Sequence, residues 1–306
     1  MSAYDINGIC IADEAFYNIK DYGAVGNGSA DDFRAIQALL TSVGDKGGII
    51  YFPKGTYKIS DVLMVYSNQT LLFEGATLLS TGMSCMIQTY VDTETGGYDC
   101  SHDITIIGCT FDCGNYSGNS TLLAFAHAQN IHIKGCTFVD VYGTWHNIEC
   151  NSSKNVLIED CEFVASREIG GTGGRIQIDN ARSGAYVRAI ANDLTACKHV
   201  EIKRCRFSDN ATKAIESHAS SEGISEYVRV HECVFDGCSY GIECSATDKV
   251  DCYNNTFIST TYCMNLRTSG TGGTLHDNRI EGATTIAGAN IITYHNLIDG
   301  VLEGTA

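Results

Sequence analysis

The sequence predicts an all-β chain: a single-stranded, right-handed parallel β-helix with one capping helix at its N-terminal end. A short phrase returns as ITIIGCTF ending at Phe111, IHIKGCTF at Phe138, VLIEDCEF at Phe163, VEIKRCRF at Phe207, VRVHECVF at Phe235 and VDCYNNTF at Phe257. Two weaker copies end at Ile280 and Ile298. The Cys or Asn of successive copies (109, 136, 161, 205, 233, 255, 278, 296) recurs at steps of 27, 25, 44, 28, 22, 23 and 18 residues, the repeat length of a solenoid. Inside each phrase apolar and polar residues alternate, as Val200 and Ile202 do with Glu201 and Lys203, which is the period of a strand. Two further strand-like runs per repeat imply three strands per turn, stacked into parallel sheets with equivalent residues about 4.8 Å apart. Right-handedness follows from the general preference of parallel crossovers.

In chain order, residues 1–16 read as a leader or linker and 17–306 as one β-helix domain, because a solenoid grows along its axis and needs no second core. Residues 17–60 form the cap: a strand, a Gly-rich turn, an amphipathic helix from about Asp31 to Val43, and a strand ending in FPKGTY. Asp31 and Asp32 favour the positive helix N-terminus, while Phe33, Ile36, Leu39 and Leu40 share a face that can cover the open end of the solenoid. Gly23, Gly26 and Gly28 are read as bend formers, not as a phosphate loop. Residues 61–306 supply the turns. Stacked cysteines at 109, 136, 161, 205 and 233 are expected to be small, buried and reduced, and the asparagines at 255, 278 and 296 to hydrogen-bond the backbone at a tight bend. The 44-residue step implies a side excursion over about 164–197, where a wall could flank a cleft.

Composition narrows the function. A net charge of −16 makes nucleic acid and anionic membrane surfaces poor partners. Thirty-two Gly and one Pro suit many short bends. Fifteen Cys follow the repeat period and do not form a bridge framework, which points to synthesis in a reducing cytosol. Cys109 with Cys113, and Cys233 with Cys238, lack C-x-x-C spacing, so no metal is assigned. The N-terminal residues show no secretory signal and no run reaches transmembrane length.

The series DYGAVGNG, then Asp31–Asp32, then GGIIYFPKGTY resembles the opening of the pectate-lyase-like superfamily of glycan-active β-helix proteins. That resemblance covers about residues 17–60, and the repeats extend it to the end. It implies the fold, and it is shared by polygalacturonase-type hydrolases, pectate-lyase-type eliminases and phage tailspikes, so it leaves the reaction open. HNIEC, then RE, then IQID is similar to a pattern of some bacterial and phage β-helix proteins read as glycoside hydrolases, which implies working carboxylates at Glu149, Asp179 and Glu168. The polygalacturonase series N-T-D, D-D, G-H-G, R-I-K is missing, and so are the clustered Asp ligands of a calcium-dependent pectate lyase.

Laid over one another, the runs HNIEC, IQIDN, IESHA, IECSA and MNLRT place two columns on the outside of one sheet. The expected columns are Asn147, Gln177, Glu216, Glu243 and Asn265 beside His127, Glu149, Asp179, His218, Ser245 and Arg267. In that register Glu149 and Asp179 sit opposite each other. Acids gathered without Lys or Arg in the same patch repel, and such an arrangement marks a working site. Asp179, Glu149 and Glu216 are the expected catalytic carboxylates, with His218, Gln177, Arg167, Glu168, His146, Trp145, Glu243 and Arg267 contacting substrate. The excursion is expected to bring Arg167, Glu168, Arg175, Arg182, Tyr186 and Arg188 beside this patch, and Trp145 to stack on a sugar.

The function expected is an endo-acting glycoside hydrolase or tailspike-like depolymerase of a polysaccharide, needing no cofactor. The alternatives are a uronate lyase or epimerase, for which a calcium ion and a base such as Arg267 would serve, and a phage receptor-binding protein that grips glycan without cleaving it. A homotrimer stays open, with no trimerisation segment evident after Ile298. A phage tail component, or a protein released by another route, fits the lack of a visible signal.

Overall fold

The computed structural model describes residues 15–82, 85–90, 96–114, 121–139, 146–164, 174–181, 193–208, 213–218, 224–267 and 271–304. Among them the chain winds through three sheets in repeating order. The first has eleven strands from Phe16–Asn18 to Ile291–Tyr294, the second twelve from Asn27–Asp31 to Val301–Leu302, and the third nine from Leu63–Val65 to Thr285–Ala287. All rungs pair in parallel except the last, where Leu297–Ile298 meets Val301–Leu302 antiparallel. This is the right-handed parallel β-helix expected from the repeats.

The repeated phrase is the corner between the first and second sheets. The residue before each rung takes a left-handed conformation, from Gly108 and Gly135 through Asp160, Arg204, Glu232, Asn254 and Asp277 to His295. Behind it the rung side chain turns inward and reaches the previous turn. Asn255, Asn278 and Asn296 each donate from Nδ2 to a backbone carbonyl there, at 2.9 Å to Val230, 3.1 Å to Cys252 and 2.8 Å to Leu275. Their Oδ1 atoms accept the N–H of Cys233, Asn255 and Asn278 at 2.9, 2.8 and 3.0 Å. The cysteine rungs point their thiols at the equivalent carbonyls, Cys161 to Ile133 at 3.8 Å and Cys233 to Ile202 at 3.7 Å. A ladder cysteine therefore does half of what the asparagine does, donating weakly to the carbonyl and accepting little, and is more than the small hydrophobe expected.

Two residues further on, Phe111, Phe138, Phe163, Phe207, Phe235 and Phe257 stack with ring centroids 5.2, 4.8, 4.7, 5.0 and 4.7 Å apart, all fully buried. Strand spacing dictates this distance, and the column fills the axis of the solenoid.

At the N-terminal end the helix Phe33–Val43 buries Ile36, Leu39, Leu40 and Val43. It starts two residues later than expected, because Asp32 turns its carboxylate back to the N–H groups of Val25 and Gly26 and leaves Asp31 to accept from Phe33 N–H at 3.2 Å. Gln37 clasps Met64, accepting its N–H at 2.7 Å and donating to its carbonyl at 3.2 Å, so the helix satisfies the exposed edge of the third sheet. The glycine turn has the bend role: Gly26 has φ +65°, and a Cβ there would lie 2.6 Å from the Tyr57 ring.

The excursion is not one insertion outside the barrel. Its middle, Gly174–Asp179, is a strand of the third sheet paired to Ile148–Asn151 on one side and Lys213–Ser217 on the other. Arg167, Glu168, Arg182, Tyr186 and Arg188 lie outside the described residues, as does Trp145.

Candidate active site

The outward columns of the third sheet are set by its register. Glu149 pairs with Gln177, Gln177 with Glu216, Glu216 with Glu243 and Glu243 with Asn265. Asn151 pairs with Asp179, whose column continues toward His218, Ser245 and Arg267. Glu149 thus stands two residues earlier than expected relative to Asp179. The two are diagonal neighbours on adjacent strands, and the expectation that they face each other on one rung is corrected. His127 falls outside the column: it is fully buried in a left-handed conformation, with Nδ1 2.8 Å from the Gly97 carbonyl.

These columns are covered, not solvated. Glu149 is 6 % exposed, Asp179 6 %, Glu243 2 % and Glu216 0 %. Nor are all four acids without a cation. Lys213 Nζ lies 2.7 Å from Glu216 Oε2 and 2.8 Å from Glu243 Oε2, and Arg267 pairs with Glu243 Oε1. Lys213 was not among the residues expected at the site. Its signal was present, since Lys213 heads the same strand three residues before Glu216.

The three carboxylates nominated for catalysis sit in different surroundings. Glu149 accepts from the Thr121 hydroxyl at 3.2 Å and from Asn151 Nδ2 at 3.4 Å, with His146 Nε2 3.9 Å away. Burial pushes its pKa up to about 7, and the negative charge of Asp179 adds to the rise while the Thr121 and Asn151 hydrogen bonds oppose it. Glu216 is the reverse case. Burial alone would raise it, but the His218 hydrogen bond at 2.9 Å and Lys213, together with His146, hold it at about 2. Its Oε1 also accepts the Gly174 N–H. Asp179 takes Gln177 Nε2 at 2.6 Å, the Ser217 hydroxyl at 3.1 Å and the His218 backbone N–H at 2.8 Å.

His146 is buried, with Nδ1 2.7 Å from the Gly174 carbonyl and 3.2 Å from Glu216 Oε1; burial keeps its pKa down. His218 is half exposed, and the hydrogen bond to Glu216 raises its pKa. His146, Glu216 and His218 offer ligand atoms within 4.8 Å of one another, a composition that could take a metal ion. Lys213 already neutralises Glu216 at that point, and a dication beside its ammonium would be repelled, so the cluster is read as a hydrogen-bonded ion-pair network. Gln177 links the columns, bridging Asp179 and His218. The structure thus brings together Glu149, Gln177, Asp179, Glu216, His218, His146, Glu243 and Arg267, and adds Lys213, Thr121, Asn151 and Ser217.

The molecule is thus a three-sheeted parallel β-helix with a cluster of buried acids and their counter-ions along one sheet. The chain belongs to the rhamnogalacturonase A/epimerase, pectate lyase-like family, whose model matches residues 16–290. Among curated proteins it is 33 % identical over 171 residues to plasmin and fibronectin-binding protein A of Streptococcus pneumoniae, covering 48 % of this chain and 24 % of that protein. It is 32 % identical over 87 residues to mannuronan C5-epimerase AlgE3 of Azotobacter vinelandii, covering 28 % of this chain and 5 % of the epimerase. The match thus spans about a quarter of the first relative and a small part of the second. Among solved structures it resembles the S. pneumoniae surface adhesin PfbA with a TM-score of 0.73 at 21 % identity, over 93 % of this chain and 80 % of that one. A Thermotoga maritima exopolygalacturonase matches with a TM-score of 0.65 at 14 % identity, over 92 % and 78 %. At these identities the structural likenesses establish the fold. Among the described residues no helix is long and apolar enough to cross a membrane.

Proposed function

We propose that this protein degrades a polysaccharide bound along the third sheet, as an endo-acting glycoside hydrolase. The observation that carries the reading is the contrast between Glu149, buried with a pKa near 7, and the hydrogen-bonded Asp179 beside it. Groups that work as acid and base are commonly separated by environment in this way. Glu149 would protonate the leaving glycosidic oxygen, and Asp179, with its charge distributed over Gln177, Ser217 and His218 N–H, would activate water or attack the sugar. Diagonal positions put their Cα atoms about 8 Å apart, which fits the wider carboxyl spacing of an inverting enzyme better than a shared rung would. Glu216, fully buried and ion-paired, would hold Lys213, His218 and His146 in place; it serves as a positioning residue here, not as a third catalytic acid.

Two other readings have specific support. Lys213, His218 and Arg267 along the same face, together with relatives named as mannuronan C5-epimerases, favour a lyase or epimerase of uronates, in which a cation neutralises the sugar carboxylate. The likeness to an adhesin favours a binder that cleaves nothing. Incubation with a panel of neutral and uronate polysaccharides separates them. New reducing ends without ultraviolet-absorbing products support the hydrolase, unsaturated absorbing products the lyase, and binding without product on any glycan the adhesin.

A further inference from the structure

Arg175 and Asn147 stand beside the acidic columns but turn the other way. Asn147 donates its backbone N–H to the Arg175 carbonyl at 2.9 Å, so the two occupy equivalent places on adjacent rungs. The same row continues through Ala214 and Gly241. A Cβ on Gly241 would lie 2.6 Å from the Phe257 ring, and Ala214 belongs to the hydrophobic core, so this row faces the interior corner between the second and third sheets.

Both side chains are buried there, Arg175 at 7 % exposure and Asn147 at 1 %. No protein atom among the described residues accepts a hydrogen bond from Arg175 Nε or Nη2, and neither amide atom of Asn147 has a partner. Two buried acids nearby have cations: Glu216 and Glu243 pair with Lys213, and Glu243 also with Arg267. Arg175 makes no ion pair with a described carboxylate, and the Cys238 thiol beside it is pushed up to about 12 by burial and so stays neutral. A buried guanidinium without a counter-charge is among the costliest arrangements a protein can hold.

The unpaired groups do not match one another. Arg175 Nε–H, Arg175 Nη2–H and the Asn147 amide supply several N–H donors and a full positive charge, against a single acceptor, Asn147 Oδ1. Water, which brings as many donors as acceptors and no charge, balances such a set poorly. We propose that Arg175 and Asn147 form an interior binding site for a small monovalent inorganic anion, of the halide class, at the corner between the second and third sheets. The anion would lock the N-terminal ends of two adjacent rungs, Asn147 just before the strand Ile148–Asn151 and Arg175 second in Gly174–Asp179, whose next outward positions are Glu149 and Gln177, so its occupancy would stiffen the base of the candidate active site. The inference is independent of which reaction, if any, that site performs.

The test is thermal unfolding of the intact protein at constant ionic strength, with chloride replacing gluconate from zero to 200 mM, followed by bromide. The melting temperature should rise with halide by about 2–4 °C, and Arg175→Met, which keeps the length of the side chain, should melt at one temperature in every salt. Should Arg175→Met fail to fold, crystals of the parental protein soaked in bromide supply the second measurement: an anomalous peak between Arg175 and Asn147 supports the site. A melting temperature indifferent to anion identity, an equal halide response in Arg175→Met, or a bromide-free corner in the soaked crystal would each overturn it.

Discussion

Glu149 pairs in register with Gln177, and Asp179 lies diagonally across from it, one strand over and two residues on. The Gln177 amide then bonds Asp179 from the same strand at 2.6 Å, so the residue opposite the acid is the residue that orients the other carboxylate. This offset organises the chemistry proposed for the third sheet.

If Glu149 supplies the proton and Asp179 the base, Glu149→Gln and Asp179→Asn should each lower turnover at least about a hundredfold while leaving glycan binding in place. Initial rates and equilibrium binding on one cleaved glycan decide it. Parental rates in both variants would move the site elsewhere on the solenoid.

Acid catalysis by Glu149 needs its protonated form, so activity should fall as pH rises through about 7. Stability has the same sign for this group. Its folded pKa lies above the unfolded value of 4.5, so the folded state holds the proton longer, and stability is lost between pH 4.5 and about 7 by roughly 3 kcal/mol. Glu216, held at about 2, acts oppositely: its contribution is present above pH 4.5 and is lost as pH falls toward 2. Denaturant melts across pH should show the first slope vanish in Glu149→Gln and persist in Asp179→Asn.

Lys213 neutralises two acids that solvent barely reaches, Glu216 and Glu243. Lys213→Met should destabilise the fold by about 3–5 kcal/mol, as breaking a buried pair does. Glu243→Gln in the same background should recover part of that loss, and a double-mutant cycle with no coupling would contradict the pairing.

The two kinds of corner rung should differ in cost. Asn278→Ala strands the Cys252 carbonyl and the Asn255 N–H together, for about 1–3 kcal/mol. Cys161→Ala loses a weak thiol contact and a small volume, and should cost less. The ladder thiols at 109, 136, 161, 205 and 233 are free and buried, and alkylation after unfolding without reductant should label all five. Disulfides among them would refute this.

The strand period, the ladder and the cap were legible in the sequence because each depends on short-range chemistry repeated at every turn. Phe163 and Phe207 had to stack once their phrases aligned, and an Asn or Cys at the bend had to meet the carbonyl of the turn before. The N-terminal helix was legible from Ile36, Leu39 and Leu40 on one face. The register of the third sheet was not. Alternation distinguishes inside from outside but is unchanged by a slip of two residues, so Ile148 or Cys150 could equally oppose Ile178. Loops of unequal length between turns decide that slip, and Glu149 met Gln177. Burial of the acids was equally hidden, since whether an outward residue is wet depends on what neighbouring turns lay over it. Lys213 became a partner of Glu216 and Glu243 only when their strands stacked. Arg175 and Asn147 escaped for a further reason: at the corner between sheets the alternation breaks, and two polar residues that read as outward in a strand turn into the core.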